Sequence, residues 1–287
     1  MVTGFLHPGA MGASLAAVCR GTRLWCGDGR SEATRARAIA AGLEDVGTLE
    51  GLVHRCDIII SVCPPAEAVS VADAVATAGF DGIYVDVNAI APATARAIAS
   101  RFGHFVDGGV VGPPVTVAGT TRLYLSGEAA TDVAELWAAT PLETRVVNGG
   151  PGAASAVKIC FASWTKGTAA LLLAIRALAV AEGVEDALLA EWATSMPGLA
   201  DQARRAAVGN APKAWRFAGE LDEVADSFAA HSLPDGFGKA AAAIYERLSE
   251  FKDTTDTTLQ AVIDALLRQR ADLTEPAMPD RPPTPTA

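Results

Sequence analysis

The 287-residue chain has no Cys-x-x-Cys pair, no long apolar run, and no basic leader ahead of an apolar stretch at its start. Its five cysteines, Cys19, Cys26, Cys56, Cys63 and Cys160, are odd in number and stand mostly within apolar runs. That pattern fits unpaired thiols in a reducing cytoplasm, not a disulfide framework. The most apolar stretch, 169–181, is interrupted by Arg176. It falls short of the ~20 residues of a membrane span, so no membrane partner is expected. Charge is scarce at 20%, and 23 basic against 33 acidic residues leave a formal net charge of −10. An acidic chain repels phosphate backbones, which argues against nucleic acid as a partner. No grouping of His, Cys and carboxylates has metal-ligand spacing, so no metal is expected. There is no G-x-S-x-G and no internal repeat. What the chain does have is apolar content: 50% of its residues are hydrophobic, enough to bury a sizeable core and to exclude a chain disordered throughout.

Short apolar runs at 2–6, 23–26, 57–63, 83–86, 104–107, 122–126 and 145–148 read as strands, with helical stretches at 9–20, 31–41 and 92–101 between them. Apolar strands alternating with helices predict a mainly parallel sheet covered on both faces. The pattern changes at Asn148-Gly149-Gly150-Pro151-Gly152. Beyond it, helices fit 153–182, 185–194, 198–208, 212–230, 236–252 and 254–270. The last residues, 273–287, carry five of the sixteen prolines and read as disordered. The expected fold class is α/β: a doubly wound N-terminal sheet over 1–150, then a long interdomain helix opening an all-α domain over 151–272.

After the first strand stands His7-Pro8-Gly9-Ala10-Met11-Gly12. A dinucleotide needs a tight turn there, close backbone approach to its pyrophosphate, and a helix N-terminus aimed at it. Gly9 and Gly12 suit the second and third glycine positions of G-x-G-x-x-G, and His7 occupies the first. An ordinary strand–turn–helix has the same spacing. The second strand runs into Gly27-Asp28-Gly29-Arg30-Ser31. Asp28 suits the ribose 2′-hydroxyl of NAD, whereas Arg30 and Ser31, opening a helix, suit the 2′-phosphate of NADP. NADP(H) is favoured over NAD(H). Arg35 and Arg37 either add to that positive field or are solvated.

Four segments in order, Leu6–Gly12, Gly29–Ser31, Ser61–Pro65 and Trp164–Gly167, resemble the β-hydroxyacid dehydrogenases over residues 1–272. That superfamily includes the 3-hydroxyisobutyrate and 6-phosphogluconate dehydrogenases and is related to the imine reductases. More narrowly, the chain resembles a bacterial phosphogluconate-dehydrogenase-like branch with an H-P-G-x-M-G turn. The resemblance implies a Rossmann domain, reversible hydride transfer to a C–O or C–N centre, and a homodimer formed through the helical domain. It puts Cys63, Pro64, Pro65 and Asn88 beside the cofactor, and a catalytic lysine at Lys158. It also puts Val111, Gly112 and Pro113 on the substrate turn. Ala162 stands where the family has a substrate-holding asparagine, and Phe161 replaces a second one.

Lys158 at the start of the long helix suits a general acid/base if burial brings its ionisation toward neutrality; it also suits a lysine reaching out to the domain edge. Lys166, eight residues on, lies about 80° around the helix. It is read as an assistant, a carboxylate binder, a replacement acid or a packing lysine. Trp164 is packing or a substrate platform. With Val111, Phe161 and Ala162 where the family has polar groups, the expected substrate is a β-hydroxyacid-like or less polar small molecule. An imine reductase is the alternative on the same scaffold. A non-catalytic NADP-binding sensor or interaction protein is the alternative of another kind.

Overall fold

A computed structural model describes residues 1–268; the Pro-rich segment 273–287 and the end of the helix expected to reach residue 270 lie outside it. The first half alternates strand and helix: β1 (Val2–Leu6), α1 (Ala10–Val18), β2 (Thr22–Trp25), α2 (Glu32–Ala40), β3 (Glu44–Asp45), α3 (Leu49–Arg55), β4 (Ile58–Ser61), α4 (Ala68–Thr77), β5 (Ile83–Asp86), α5 (Pro92–Ala99), β6 (His104–Val111), β7 (Arg122–Ser126), α6 (Ala130–Ala134) and β8 (Glu143–Val146). Among the described residues the strands form one sheet in the order β3-β2-β1-β4-β5-β6-β7-β8. Every pairing is parallel except that of β6 with β7. The strand order reverses direction between β1 and β4, the place where open α/β sheets leave a crevice. Ile58, Ile59 and Ile60 are buried because β4 lies mid-sheet with both faces covered.

The helical half comprises α7 (Ala153–Ala181), α8 (Glu185–Ser195), α9 (Leu199–Asn210), α10 (Ala214–Ala229), α11 (Gly236–Arg247) and α12 (Leu259–Leu267). The helix expected from residue 254 begins at Leu259, because the Thr258 side chain caps it by accepting from the Ala261 N–H at 3.1 Å. By length and composition alone, the 29-residue α7 could cross a bilayer. It is instead the central helix of this chain. Ile159, Ala162, Ala170 and Leu173 pack with Phe217, Leu221 and Tyr245 in the helical core, and buried Arg176 is paired with Glu185.

Two features fasten α7 to the sheet. Strand β6 extends four residues past the expected 104–107, through Gly108 and Gly109, which carry no apolar signal. Gly109 lies flush against α7: a Cβ there would come within 2.9 Å of both the Ala154 carbonyl oxygen and the Lys158 Cβ. The second is Asp107, which is fully buried. Its carboxylate accepts from the Ser155 N–H at 2.8 Å, from the Ser155 hydroxyl at 2.5 Å and from the Ser126 hydroxyl at 3.2 Å. Ser126 in turn accepts from the Ala154 N–H at 3.0 Å. Orphan donors at the start of α7 are thus satisfied by side chains from β6 and β7. Asp107→Ala would leave those donors buried without an acceptor. Urea denaturation should show a loss of about 3 kcal/mol; a change under about 1 kcal/mol would show that the anchor lies elsewhere.

Candidate active site

The C-terminal ends of β1, β2 and β4 border a cleft of about 620 Å3 lined by His7, Cys26, Asp28, Arg30, Cys63 and Pro64 among others. His7 makes the turn that the fingerprint's first glycine would make. Its φ of 55° lies in the left-handed region, where histidine is one of the better tolerated non-glycine residues, and its carbonyl accepts from the Gly9 N–H at 2.6 Å. Burial, aided by the nearby Arg30 guanidinium, pushes the imidazole down to about 4, so it is neutral at pH 7. Gly9 precedes α1, and Ala10, Met11 and Gly12 form its first turn. A Cβ at Gly12 would sit 3.4 Å from that of Val62, which lets α1 lie close to the segment after β4.

The basic residues after β2 divide in two. Arg35 is tied to Asp45 at 3.2 Å and to the Gly27 carbonyl. Arg37 donates to the Pro8 carbonyl at 3.4 Å and to the Thr34 hydroxyl at 3.0 Å. Neither is a merely solvated charge. Ser31 caps α2 by accepting from the Thr34 N–H at 3.3 Å. Arg30 faces the cleft with Asp28.

Sequence reasoning missed the opposite wall. Thr48, Leu49 and Glu50 come from the start of α3, and Glu67, Ser70 and Val71 from the start of α4 and the turn before it. The signal for α3 was present: Thr48 is an N-cap whose hydroxyl accepts from the Gly51 N–H at 3.2 Å.

Asn88 holds the floor together. It accepts from the Cys63 N–H at 2.6 Å and donates to Ser61 at 3.1 Å and to Asp86 at 2.9 Å. Its side-chain groups are engaged with protein, so it shapes the loop of Cys63, Pro64 and Pro65 from behind. Burial, with the nearby Asp107 carboxylate adding to it, outweighs the Asn88 donors and pushes Asp86 up to about 7.

The lysines meet across α10. Lys166 is ion-paired with Glu220, and Lys158 Nζ stands 4.0 Å from the same carboxylate oxygen. The three side chains are only 13–17% exposed. Although 80° apart around α7, the two lysines converge because Glu220 approaches between them. Lys166 also rests 4.3 Å from the centre of the Phe217 ring. Burial, with the Lys158 ammonium adding to it, pulls Lys166 down to about 8 against the opposing pull of Glu220. Burial works against ionised Glu220, but the ammonium groups of Lys166 and Lys158, with Arg216, outweigh it and hold the carboxyl below its ordinary value. Glu220 was not among the sequence candidates. Its signal was an acidic residue between Phe217, Leu221 and Val224, on the buried side of an amphipathic helix.

The expected substrate positions separate. Val111 is buried at the end of β6, opposite Arg122. Gly112 has a φ of 127° at the turn out of the strand, and the Pro113 carbonyl accepts from Thr121 at 2.7 Å. Ala162 and Trp164, the other expected substrate contacts, lie on α7 between the two lysines. Ala162 is buried in the helical core, and Trp164, about 120° around the helix from Lys158, is 72% exposed. His231, between α10 and α11, is exposed.

The raised Asp86 has a direct test. Its folded form binds a proton more tightly than its unfolded form, so its contribution to stability is full below about 4 and is lost as pH rises to about 7. The denaturation midpoint of the wild type should therefore fall relative to Asp86→Asn across that window. A difference that stays constant from pH 4 to 7 would contradict it.

Comparison with known proteins places this geometry. Residues 179–248 match a family described as a domain of unknown function, DUF1932. An uncharacterised 28.5 kDa protein of Methanothermus fervidus is 32% identical over 167 residues, 57% of this chain; the chain spans 64% of the length of that relative. A conserved protein of unknown function, whose structure revealed similarity with 3-hydroxyacid dehydrogenases, is 27% identical over 88% of this chain and 98% of its own, with a TM-score of 0.65. Mycobacterium tuberculosis 3-hydroxyisobutyrate dehydrogenase, solved with L-serine, is 20% identical over 93% of this chain and 99% of its own, with a TM-score of 0.66. An Aspergillus terreus reductive aminase, solved with NADPH4, cyclohexanone and allyl amine, shares the fold at 15% identity and a TM-score of 0.54, over 91% of this chain and 98% of its own. This chain therefore shares the fold of these proteins, a Rossmann-type sheet joined by a long helix to an all-α domain.

Proposed function

We propose that the protein is an NADP(H)-dependent oxidoreductase acting at a carbonyl or hydroxyl carbon, with Lys158 as general acid and base. The observation that supports this most is the buried lysine pair on α7, of which Lys158 lies against β6 just before the turn at Gly112 and Pro113. The cleft suits the adenosine and pyrophosphate parts of a dinucleotide: the His7–Gly12 turn meets the N-terminus of α1, and Arg30, on the cleft wall, suits a 2′-phosphate. When bound, the nicotinamide would supply or accept the hydride. Lys158 would donate its proton to the substrate oxygen in reduction and take it back in oxidation. Val111 and Ala162, where the resembled family has polar groups, favour a β-hydroxyacid-like or less polar substrate over a highly polar acid. The five free thiols suit the cytoplasm.

Imine reduction is the second reading, favoured by the same apolar positions, since hydride delivery to an iminium needs less proton donation. Paired ketone and imine substrates separate the two. Binding of NADPH with no turnover of any carbonyl or imine would instead support the non-catalytic sensor. Lys158→Ala should keep NADPH affinity in a fluorescence titration and lower kcat by roughly 10²–10⁴-fold. In the same assay, Arg30→Ala should raise KM for NADPH about tenfold or more with little change for NADH. Unchanged turnover in Lys158→Ala would transfer the acid role to Lys166.

We also propose a homodimer through α7. Phe161, Trp164, Leu171 and Leu178 are exposed at three- and seven-residue spacing, an apolar stripe of about 26 Å. Leu171→Glu should shift sedimentation toward monomer; a monomeric wild type would refute the assignment.

A further inference from the structure

Among the groups not assigned by likeness to other proteins, Glu220 is the most constrained. It comes from α10, whereas both lysines come from α7, and it is as enclosed as they are. The groups facing it are Lys158 and Lys166 from α7, Arg216 from its own helix, and Tyr245 from α11, whose hydroxyl donates to the Lys166 carbonyl at 3.1 Å. The same helix is fixed to the sheet domain one turn further on, where Glu223 accepts from the Ala91 N–H at 2.5 Å. Glu220 is therefore held in place, and two enclosed ammonium groups share one carboxylate.

Resting on the reading of Lys158 as proton donor, we propose that Glu220 is a positioning and specificity-determining residue. Its carboxylate, shared by Lys158 and Lys166, orients both lysines and leaves the three groups with one net positive charge. That charge suits neutral or monoanionic carbonyl substrates better than a dianion. Removing it would leave two ammonium groups facing each other in a desolvated space, where a lysine readily gives up its proton.

The chain has five lysines, Lys158, Lys166, Lys213, Lys239 and Lys252, so NMR of isotope-labelled lysine side chains in the full-length protein can follow each one. Lys166 should titrate near 8 in the wild type. It should move down by about one to three pH units in Glu220→Gln and return most of the way in Glu220→Asp. Lys158→Met, which removes the other ammonium and leaves Glu220 in place, should move it up; this arm remains if Glu220→Gln does not fold. The second readout is the kcat/KM ratio of a 2-oxo-dicarboxylate to the matching 2-oxo-monocarboxylate. Measured at a pH below the shifted Lys166 titration, where both lysines are still ionised, it should rise about tenfold in Glu220→Gln. An unmoved Lys166 titration in folded Glu220→Gln, or an unchanged ratio, overturns the proposal. A wild type that turns over no carbonyl compound overturns the dehydrogenase reading instead, and the lysine titration still decides whether Glu220 sets the charge.

Discussion

Asp107 lies at the bottom of the structure's most consequential contact, a buried carboxylate that receives the N-terminus of α7. A carboxylate removed from water costs stability unless charge and donors meet it, and here the Ser155 N–H and two serine hydroxyls do so, at the positive end of a 29-residue helix. Burial still pushes Asp107 above the usual carboxylate range. The arrangement fixes where the helix starts, and Gly109 fixes how close it lies. Lys158, one turn past Ala154, is placed by these two restraints before any substrate is considered.

Helix α10 supplies the opposite side. Its acidic residues at 220 and 223 lie three apart and so share a face. One meets the lysines of α7 and the other meets the N-terminus of α5. A single helix therefore joins the lysine cluster to the sheet domain that carries the cleft. The separation of the chain into a sheet half and a helical half does not extend to this cluster, which is tied to both.

Much of the sheet was legible in the sequence because its central strands are apolar on both faces. Ile58, Ile59 and Ile60 can hardly be read otherwise, and the turn at residues 7–12 announces the first helix. The length of β6 was hidden because Gly108 and Gly109 serve close approach of backbone and helix, a pairwise property that a linear pattern does not contain. The helices α3 and α4 were passed over, and half of the cleft wall with them. The convergence of Lys158 and Lys166 was unreadable for a similar reason. Helical periodicity describes positions around one axis, whereas Glu220 arrives from another helix. Composition had the same limit: a net charge of −10 gave no hint that two ammonium groups lie enclosed together.

The bond from Arg37 to the Pro8 carbonyl bears on protein engineering. Arg37 belongs to the helix that begins at the Arg30–Ser31 loop, and Pro8 to the turn that precedes α1. The segment that would discriminate between the two nicotinamide cofactors is thus bolted to the segment that would cradle their common pyrophosphate. Grafting a different β2–α2 loop to change cofactor choice would disturb both ends of the nucleotide at once. A successful exchange would have to transplant the arginine clamp together with the loop.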